Sequence, residues 1–398
     1  MPSTPASLDL QQVERLIHFA KKSANAEIGF GHLGAEGSIT PDAAPSMLIT
    51  ARMTFTFAIA SKLGFSGTAE LAHRGIASLS KDFYDRENGG FFSIAPGFGD
   101  SGRKNAYDTA FVLLAASTAQ SLNIPGAATL TNTALEVLFE KFWREDLGIF
   151  ANSYNQDFSL EEPYLGANAN MHAVEALISA HAATGDSSLL DRALDISDFM
   201  VNTHARSRDW MMPEHFEADG AQNPGFNEDS PADEFRPFGV TIGHLFEWSR
   251  LLLELHGNSL PAADWVPDAA RSLYEKARSV GWAADGREGF VYTLDWESQP
   301  VVTQRLMWVV AEAISAAAQV DSSKLLSDAH EDVLRWSEHL HARFKDSTHG
   351  SWHHELDSSG SPASTVAQGK PDAYHLLQAL LIPQLPEGNG LLDRISNL

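Results

Sequence analysis

Six segments of the chain are apolar nearly all the way round a helix, and they recur at intervals of roughly 55–72 residues. A half-exposed helix has one apolar stripe, whereas a helix that is apolar on every face is buried on every face. Each segment carries a landmark polar residue, and the landmarks are Arg52, Tyr107, His172, His244, Arg305 and His375. The interval leaves room for one more helix and two loops in each unit. The sequence therefore predicts a repeated pair of helices.

The helices expected between these segments follow a different pattern. Segments such as 188–204 and 325–344 have apolar residues at i, i+3 and i+4 and charged residues on the other face. Buried helices that alternate with half-exposed helices describe a closed ring of helical hairpins. We therefore predict an all-α fold, an (α/α)6 barrel, in which residues 1–398 form a single domain with one core.

Short segments that begin with glycine and continue with aromatic residues recur just before the buried helices. They span 89–96, 148–157, 289–298 and 350–360, with a looser example at 212–220. Alternating apolar and polar residues are typical of short strands, so we predict β-hairpins at the mouth of the barrel. Two loop-rich stretches, at 95–105 and at about 213–237, are expected to border the same mouth.

The composition excludes several classes of function. A net charge of −24 repels phosphate backbones and anionic membrane surfaces, so we expect neither nucleic acid nor a membrane as a partner. The chain has no cysteine, which excludes disulfides, thiolate catalysis and cysteine-ligated metals. Residues 1–10 lack a secretory signal pattern, and no apolar run reaches about 18 residues. These features predict a cytoplasmic protein and leave its oligomeric state open.

The starts of the six buried helices carry polar residues that packing alone does not require. Buried polar groups are costly unless they are paired, so their recurrence predicts a polar pocket on the barrel axis. The set comprises Arg52, Asn105, Tyr107, Asp108, Asn168, Asn170, His172, Glu175, Arg236, His244, Glu247, Gln304, Arg305, Trp308, Lys370, Asp372 and His375. His244 and Glu247 stand three residues apart and share a helix face, where a carboxylate can tune an imidazole.

Structural roles compete with this hypothesis for some members of the set. The residues that could instead be helix N-caps are Asn105, Asn168 and Asp372. Arg52 could be the ion-pair partner of a buried carboxylate such as Glu247 or Glu175. Both roles would place polar groups at the helix starts without making a functional pocket.

The sequence does not predict a metal or a cofactor. His353 and His354 are adjacent, and adjacent residues do not share a helix face, so their spacing is poor for metal binding. The chain has no HExxH motif, no P-loop and no dinucleotide-binding glycine fingerprint. It also has no GxSxG nucleophile motif. We therefore expect a site that works with side chains alone.

A pocket that combines histidine, glutamate and arginine suits proton transfer beside a carbonyl group. A base near neutral pKa can remove the C2 proton of an open-chain sugar, and cationic donors stabilise the enediolate oxygen. Two other classes stay open on the residues alone. A glycoside hydrolase would need two carboxylates, for which Asp108 with Glu228 or Asp229 are the candidates. A helical scaffold would need no chemistry.

The polar residues at the helix starts stand in five distinctive motifs. They are ITARMTFTFA with Arg52, ANMHAVEA with His172, FRPFGVTIGHLFEW with His244 and Glu247, TQRLMW with Trp308, and GKPDAYHLLQA with His375. These motifs resemble the N-acylglucosamine 2-epimerase superfamily, and within it the aldose–ketose isomerase branch. The resemblance covers essentially the whole chain. The fourth helix reads IGH where many members read PGH, which leaves the histidine in place. The family fold is an (α/α)6 barrel, in agreement with the repeat.

The resemblance implies a cofactor-independent isomerase that acts on a monosaccharide. Its reaction would interconvert D-mannose and D-fructose, and D-lyxose and D-xylulose as a further pair, through a cis-enediol. His375 would move the proton between C1 and C2, His244 tuned by Glu247 would open the ring, and Arg52 would polarise O1 and O2. The residues that would hold the sugar are His172, Tyr107, Asn168 and Arg236, with Trp308 against the ring face.

Related activities in the superfamily stay open. A sulfoquinovose isomerase would share the chemistry but would need cationic or donor groups near C6. A 2-epimerase of the N-acylglucosamine or cellobiose type would reprotonate C2 from the opposite face. The methionine that follows Arg52 resembles isomerases more than epimerases. The sequence does not show to which face of the enediol intermediate the proton is returned.

Overall fold

The computed structural model describes residues 10–258, 263–388 and 390–398. Residues 1–9, most of the segment that lacks a signal pattern, lie outside the described residues. The helices are α1 (Gln11–Ala20), α2 (Met47–Lys62), α3 (Thr68–Ser78), α4 (Ala106–Ser121), α5 (Ala127–Val137), α6 (Ala167–Thr184), α7 (Ser188–Ser197), α8 (Ile242–Gly257), α9 (Val266–Gly281), α10 (Met307–Ser322), α11 (Ala329–His339), α12 (Tyr374–Leu381) and α13 (Leu391–Ser396).

The even-numbered helices form an inner ring and the odd-numbered helices up to α11 lie outside it. Each inner helix contacts the next one along the chain, and α12 returns to contact α2, so the ring is closed. Burial on every face is clear in α4, where residues 109–112 are consecutive and all buried. The all-α prediction and the (α/α)6 barrel prediction are therefore confirmed. Apolar residues from all six inner helices belong to one hydrophobic core.

Four of the outer helices end in the same way. A π-helical turn extends each of α3, α5, α7 and α11, and these turns span Leu79–Phe83, Leu138–Phe142, Asp198–Ala205 and Leu340–Phe344. In three of them a leucine begins the turn and a buried phenylalanine ends it. The chain then becomes extended and turns back toward the mouth of the barrel.

Short strands tie each unit to the following one. The strands are β1 (Lys104–Asn105), β2 (Trp143–Arg144), β3 (Ile149–Phe150), β4 (Ser153–Tyr154), β5 (Tyr164–Gly166), β6 (His215–Glu217), β7 (Val240–Thr241), β8 (Thr293–Leu294), β9 (Pro300–Val302), β10 (Arg305–Leu306) and β11 (Glu355–Leu356). β1, β5, β7 and β10 stand directly before inner helices and pair with β4, β6, β8 and β11 of the next unit. This pairing fixes where four of the inner helices, α4, α6, α8 and α10, begin.

The glycine–aromatic segments form these strands and bridges, as the sequence predicts. Segment 148–157 contains β3 and β4, segment 289–298 contains β8, and segment 350–360 contains β11. They make local hairpins, such as β2 with β3, but they also pair across units, which the sequence does not indicate. Among the described residues, no helix is long and apolar enough to cross a membrane.

Candidate active site

A pocket lies on the barrel axis at the end where the inner helices begin. Eight of the nine residues expected to act in catalysis or sugar binding line this pocket. They are Arg52, Tyr107, Asn168, His172, His244, Glu247, Trp308 and His375. The paired strands before α4, α6, α8 and α10 help to bring these side chains together, because they hold the starts of those helices at the same end of the barrel.

Two histidines face the pocket with the same kind of support. His244 Nδ1 lies 2.9 Å from a Glu214 carboxylate oxygen, and His375 Nδ1 lies 2.8 Å from a Glu312 carboxylate oxygen. An ionised carboxylate can only accept a hydrogen bond, so each Nδ1 carries the proton. Each Nε2 is then the basic nitrogen. The arrangement gives two imidazoles of fixed tautomer in one pocket.

Trp308 lies between these two histidines. Its ring centroid is 5.3 Å from that of His244 and 5.5 Å from that of His375. Gly243, the residue before His244, makes this position possible, because a Cβ there would lie 2.2 Å from the indole ring. The glycine of the IGH motif therefore leaves the space that Trp308 fills.

Glu247 does not support His244, although the helix spacing predicts that it does. The acceptor for His244 is Glu214, which comes from the irregular segment before β6. Glu247 lies on the floor of the pocket with no exposed surface, and neither carboxyl oxygen has a hydrogen-bond partner. An i, i+3 spacing puts two residues on one side of a helix but does not aim their side chains at each other.

Arg52 crosses the pocket to the last inner helix. Its guanidinium donates to Asp372 at 3.0 Å and to the Tyr107 hydroxyl at 2.8 Å, and it stacks over Phe111 at 4.4 Å. The expected alternative partners, Glu247 and Glu175, are not its partners. Burial alone would raise the pKa of Asp372, but the charges of Arg52, His354 and His375, with the hydrogen bond from Arg52, together outweigh it and lower that pKa.

His172 is the third imidazole of the pocket, and its environment differs from the other two. Its Nδ1 lies 3.3 Å from Glu175 and 3.7 Å from Glu247. Burial lowers the pKa of His172 to about 4, so the ring is neutral near neutral pH. A neutral imidazole can donate to or accept from a hydroxyl group, which suits substrate binding.

Comparison with known proteins decides the family. The N-acylglucosamine 2-epimerase family model matches residues 29–379. The chain belongs to this family. A D-mannose isomerase from Pseudomonas cannabina pv. alisalensis is 42% identical over 97% of this chain and 94% of that protein. A D-mannose isomerase from Thermobifida fusca is 41% identical over 97% of this chain and 96% of that protein.

The fold and the enzyme class agree with this family. The crystal structure of a D-mannose isomerase superimposes with a TM-score of 0.87 and 26% identity, covering 96% of this chain and 99% of that one. The protein is therefore an enzyme of the isomerase class, with a fold and relatives that indicate activity on sugars. The resemblance read from the helix motifs is confirmed.

Helical position does not mark every residue that completes the site. Tyr292 and His354 line the pocket and stand next to short strands. Glu214 does not line the pocket itself but holds His244 from an irregular segment. Glu312 could have been found, since it is one of two acidic residues within the otherwise apolar α10. Burial lowers the pKa of His354 to about 4, and its Nε2 is buried without a hydrogen-bond partner in the described chain.

Arg236 is the expected site residue that does not line the pocket. Its guanidinium makes two hydrogen bonds to Glu162, at 2.8 and 3.1 Å, and stacks over Tyr164. It lines a neighbouring cavity that shares Tyr107, Asn168 and Phe235 with the pocket. The prediction that Arg236 holds a sugar hydroxyl therefore lacks the expected geometry. Its neighbour Phe235 does reach the pocket.

The N-cap alternative is correct for one of its three candidates. Asn105 caps α4, because its side chain accepts from the Asp108 backbone at 2.7 Å. Asn168 lies inside α6 with a buried, unpartnered side-chain oxygen that faces the site. Asp372 precedes α12 and accepts from the Tyr374 backbone, but it also holds Arg52.

The two-carboxylate arrangement of a glycoside hydrolase is not found for the expected residues. Asp108 is buried and accepts from Ser93 and Asn105, away from the histidines. Glu228 and Asp229 are exposed and do not line the pocket. The described pocket therefore has the imidazoles, rather than these acids, at its centre.

Two groups in the described chain have ligand-type atoms close enough to hold a metal. They are His172 with Glu175 and Glu247, and Glu247 with Glu312 and His375; in each the atoms lie within 4.8 Å. The guanidinium of Arg250 lies 3.0–3.6 Å from oxygens of these three glutamates. A cation would be repelled by that charge, so the prediction of a metal-independent site stands as a prediction.

Proposed function

We propose that the protein interconverts D-mannose and D-fructose, with D-lyxose and D-xylulose as a second pair, without a metal or cofactor. The observation that carries the proposal is the pair His244 and His375, each with Nδ1 on a glutamate and both beside Trp308. Arg52 faces the same pocket. The identity of 42% to a D-mannose isomerase supports the choice of sugar.

The first step opens the pyranose ring. His244 is the residue we assign to it, because its ring faces the pocket while its Nδ1 is held by Glu214. Ring opening moves the O1 proton onto O5, and one imidazole can take the first proton and deliver the second. The product is the open-chain aldose with a free C1 aldehyde.

The second step moves a proton between carbons. His375 Nε2 takes the proton from C2, which leaves a cis-enediol intermediate with its negative charge on O1. The O2 proton passes to O1, the imidazolium returns its own proton to C1, and the product is the ketose. Arg52 would stabilise the negative charge that develops on O1 and O2. Glu312 would stabilise the imidazolium form of His375 between the two transfers.

The remaining pocket residues would bind the sugar. His172 is neutral and can exchange hydrogen bonds with a hydroxyl, and Tyr107 and Asn168 offer further polar atoms. Trp308 offers an apolar ring face to the C–H face of the sugar. Arg236 would act only indirectly, by holding Glu162 and the backbone next to Phe235.

The test is proton NMR of D-mannose with the purified protein in D₂O and EDTA. Growth of fructose signals with little deuterium at C1 is expected, because a buried base shielded from solvent returns the same proton. Fructose that is fully deuterated at C1 would still show isomerase activity, but it would rule out a base that is shielded from solvent. If the mannose signals do not change, D-mannose is ruled out as the substrate. Sulfoquinovose and then disaccharides would be tested next.

A 2-epimerase is the second candidate, and one observation favours it. Two imidazoles flank Trp308 in one pocket, so each could serve one face of a flat enediol. Glucose in the same NMR experiment would support this outcome. Sulfoquinovose isomerisation has less support, because the Arg236 guanidinium near the pocket is already paired with Glu162.

A further inference from the structure

Arg250 lies on the barrel axis below the pocket and is not among the residues that line it. It is 1% exposed and stands on α8, one turn after Glu247. Its Nε lies 3.0 Å from Glu312, and its Nη1 lies 3.2 Å from Glu254. Its Nη2 lies 3.4 Å from Glu175 and 3.6 Å from Glu247. One guanidinium therefore serves four buried carboxyl groups.

The four carboxyl groups cannot all be ionised at low cost. One positive charge against four negative charges would leave a net charge of about −3 among side chains that are all buried. Glu247 has carboxyl oxygens within 4.8 Å of ligand-type atoms of both neighbouring glutamates. When like charges lie this close, one of the groups keeps its proton.

Hydrogen bonds indicate which groups are ionised. Glu312 accepts from Arg250 and His375, and Glu175 accepts from Arg250, His172 and the Tyr374 hydroxyl. Glu247 accepts no hydrogen bond at either oxygen. Burial, reinforced by the charge of Glu312, raises the pKa of Glu247 well above its usual value. Burial also opposes ionisation of Glu312, but Arg250 and His375 outweigh it and lower that pKa.

We propose that Arg250 is a positioning residue that keeps Glu175 and Glu312 ionised, as acceptors for His172 and His375, and leaves Glu247 as the protonated carboxyl group. Arg250 touches no substrate in this scheme. It acts through two glutamates on two histidines of the pocket. The kinetic part of the proposal rests on the proposed sugar isomerisation, whereas the protonation pattern does not.

Other titratable and charged groups around the cluster do not change this assignment. Tyr374 on α12 is a hydroxyl donor to Glu175, and burial raises its pKa, so it stays neutral. Arg52 on α2 adds positive charge on the pocket side of Glu247. Arg394 on α13 adds positive charge on the far side, near Glu254, but burial still raises the pKa of that carboxyl group.

The first experiment measures the protonated carboxyl group directly. Infrared difference spectra at neutral pH compare the wild-type protein with Glu247→Gln and with the control Glu214→Gln, which changes a carboxyl group outside the cluster. A carbonyl band of a protonated carboxyl group should be lost in Glu247→Gln and retained in Glu214→Gln. An unchanged spectrum in Glu247→Gln, or loss of the band in Glu214→Gln, would overturn the proposal, and neither result depends on turnover.

The second experiment measures the pH dependence of kcat. Removing the charge in Arg250→Met should raise the pKa of Glu312 and Glu175, so the acidic limb of kcat should move up by about 1–3 pH units. Arg250→Lys keeps the positive charge and should move the acidic limb of kcat by a smaller amount. Glu254→Gln changes a carboxyl group on the side away from the pocket that contacts neither histidine, so the acidic limb of this variant should stay in place or move to lower pH.

A merely structural role for Arg250 predicts a different pattern. It would lower the amount of active enzyme and the thermal midpoint without moving the acidic limb, and that result would overturn the proposal. If Arg250→Met does not fold, the test uses Arg250→Lys and Glu254→Gln instead. The proposal would be overturned if the acidic limbs of kcat in these two variants shifted in the same direction. A wild-type protein without isomerase activity would instead reject the proposed function, while the infrared test would still stand.

Discussion

The two histidine–glutamate pairs of the pocket have nearly the same distance and quite different surroundings. Glu312 stands on inner helix α10, is fully buried and is held by Arg250 as well as by His375. Glu214 stands in an irregular segment near the mouth, and its second oxygen is buried without a partner in the described chain. One pair is anchored in the barrel axis, whereas the other depends on a connecting segment.

This difference matches the two tasks that we assign to the histidines. Proton transfer between carbons has the higher intrinsic barrier, and it gains most from a base held in a fixed position. Ring opening moves protons only between oxygens and tolerates a less constrained group. The anchored pair, His375 with Glu312, therefore suits the carbon step, and the pair His244 with Glu214 suits ring opening.

The largest expected effect separates the two histidines. His375→Ala and His244→Ala should each lower kcat for mannose isomerisation by about 10²–10⁴-fold, because each removes an acid–base group. His375→Ala should still accelerate the exchange of α- and β-mannose, which needs only ring opening, whereas His244→Ala should not. Turnover and anomer exchange are both measured by NMR. Equal loss of anomer exchange in both variants would contradict the division of tasks.

A smaller effect should separate the two glutamates. Glu312→Gln removes a charged hydrogen-bond partner from His375 and one from Arg250, which costs about 1.5–3 kcal/mol per bond. We expect kcat to fall by roughly 10- to 150-fold and the thermal midpoint to fall as well. Glu214→Gln should lower kcat less and leave the midpoint nearly unchanged. Equal thermal midpoints in the two variants would remove the contrast between the pairs.

The spacing between the two pairs can be tested through Trp308. Gly243→Ala places a Cβ 2.2 Å from the indole, so the ring must move, at a cost of about 1–3 kcal/mol for overpacking. We expect lower stability and a reduced kcat/KM. Gly225→Ala is the matched control, because a Cβ there meets nothing within 4 Å. Normal kinetics in Gly243→Ala would show that Trp308 does not set the spacing.

The smallest expected effect is that of EDTA. Arg250 already supplies positive charge to Glu175, Glu247 and Glu312, so turnover measured before and after dialysis against EDTA should be the same. A loss that an added metal restores would mean that a cation, rather than the guanidinium, holds the anchored pair.

The sequence predicts the fold and most of the pocket because both follow the helix repeat. Arg52, His172, His244 and His375 stand near the starts of inner helices, and the closed ring brings those starts together. Glu214 could not be predicted, since it comes from an irregular segment whose path depends on tertiary contacts. The direction of the Glu247 side chain could not be predicted either, because helix spacing determines which face a residue lies on but not which group it contacts.

Arg250 and Glu312 could have been recognised from the sequence. Both are charged residues inside helices that are buried on every face. A charge in such a position needs an opposite charge on a neighbouring helix. Reading the inner helices for charges in their middle turns, as well as at their starts, would have indicated a charged cluster on the axis.

The closure of the ring has a consequence for how the chain reaches its active form. The Lys370 backbone donates to the Leu33 carbonyl at 2.8 Å, and Arg52 binds Asp372, which is 320 residues away. Contacts of such long separation form late, after the local helix pairs. During synthesis, Arg52 therefore lacks its counter-ion Asp372 until the last part of the chain has been made and the ring has closed. The active form of the enzyme is then complete only when the two ends of the ring have met.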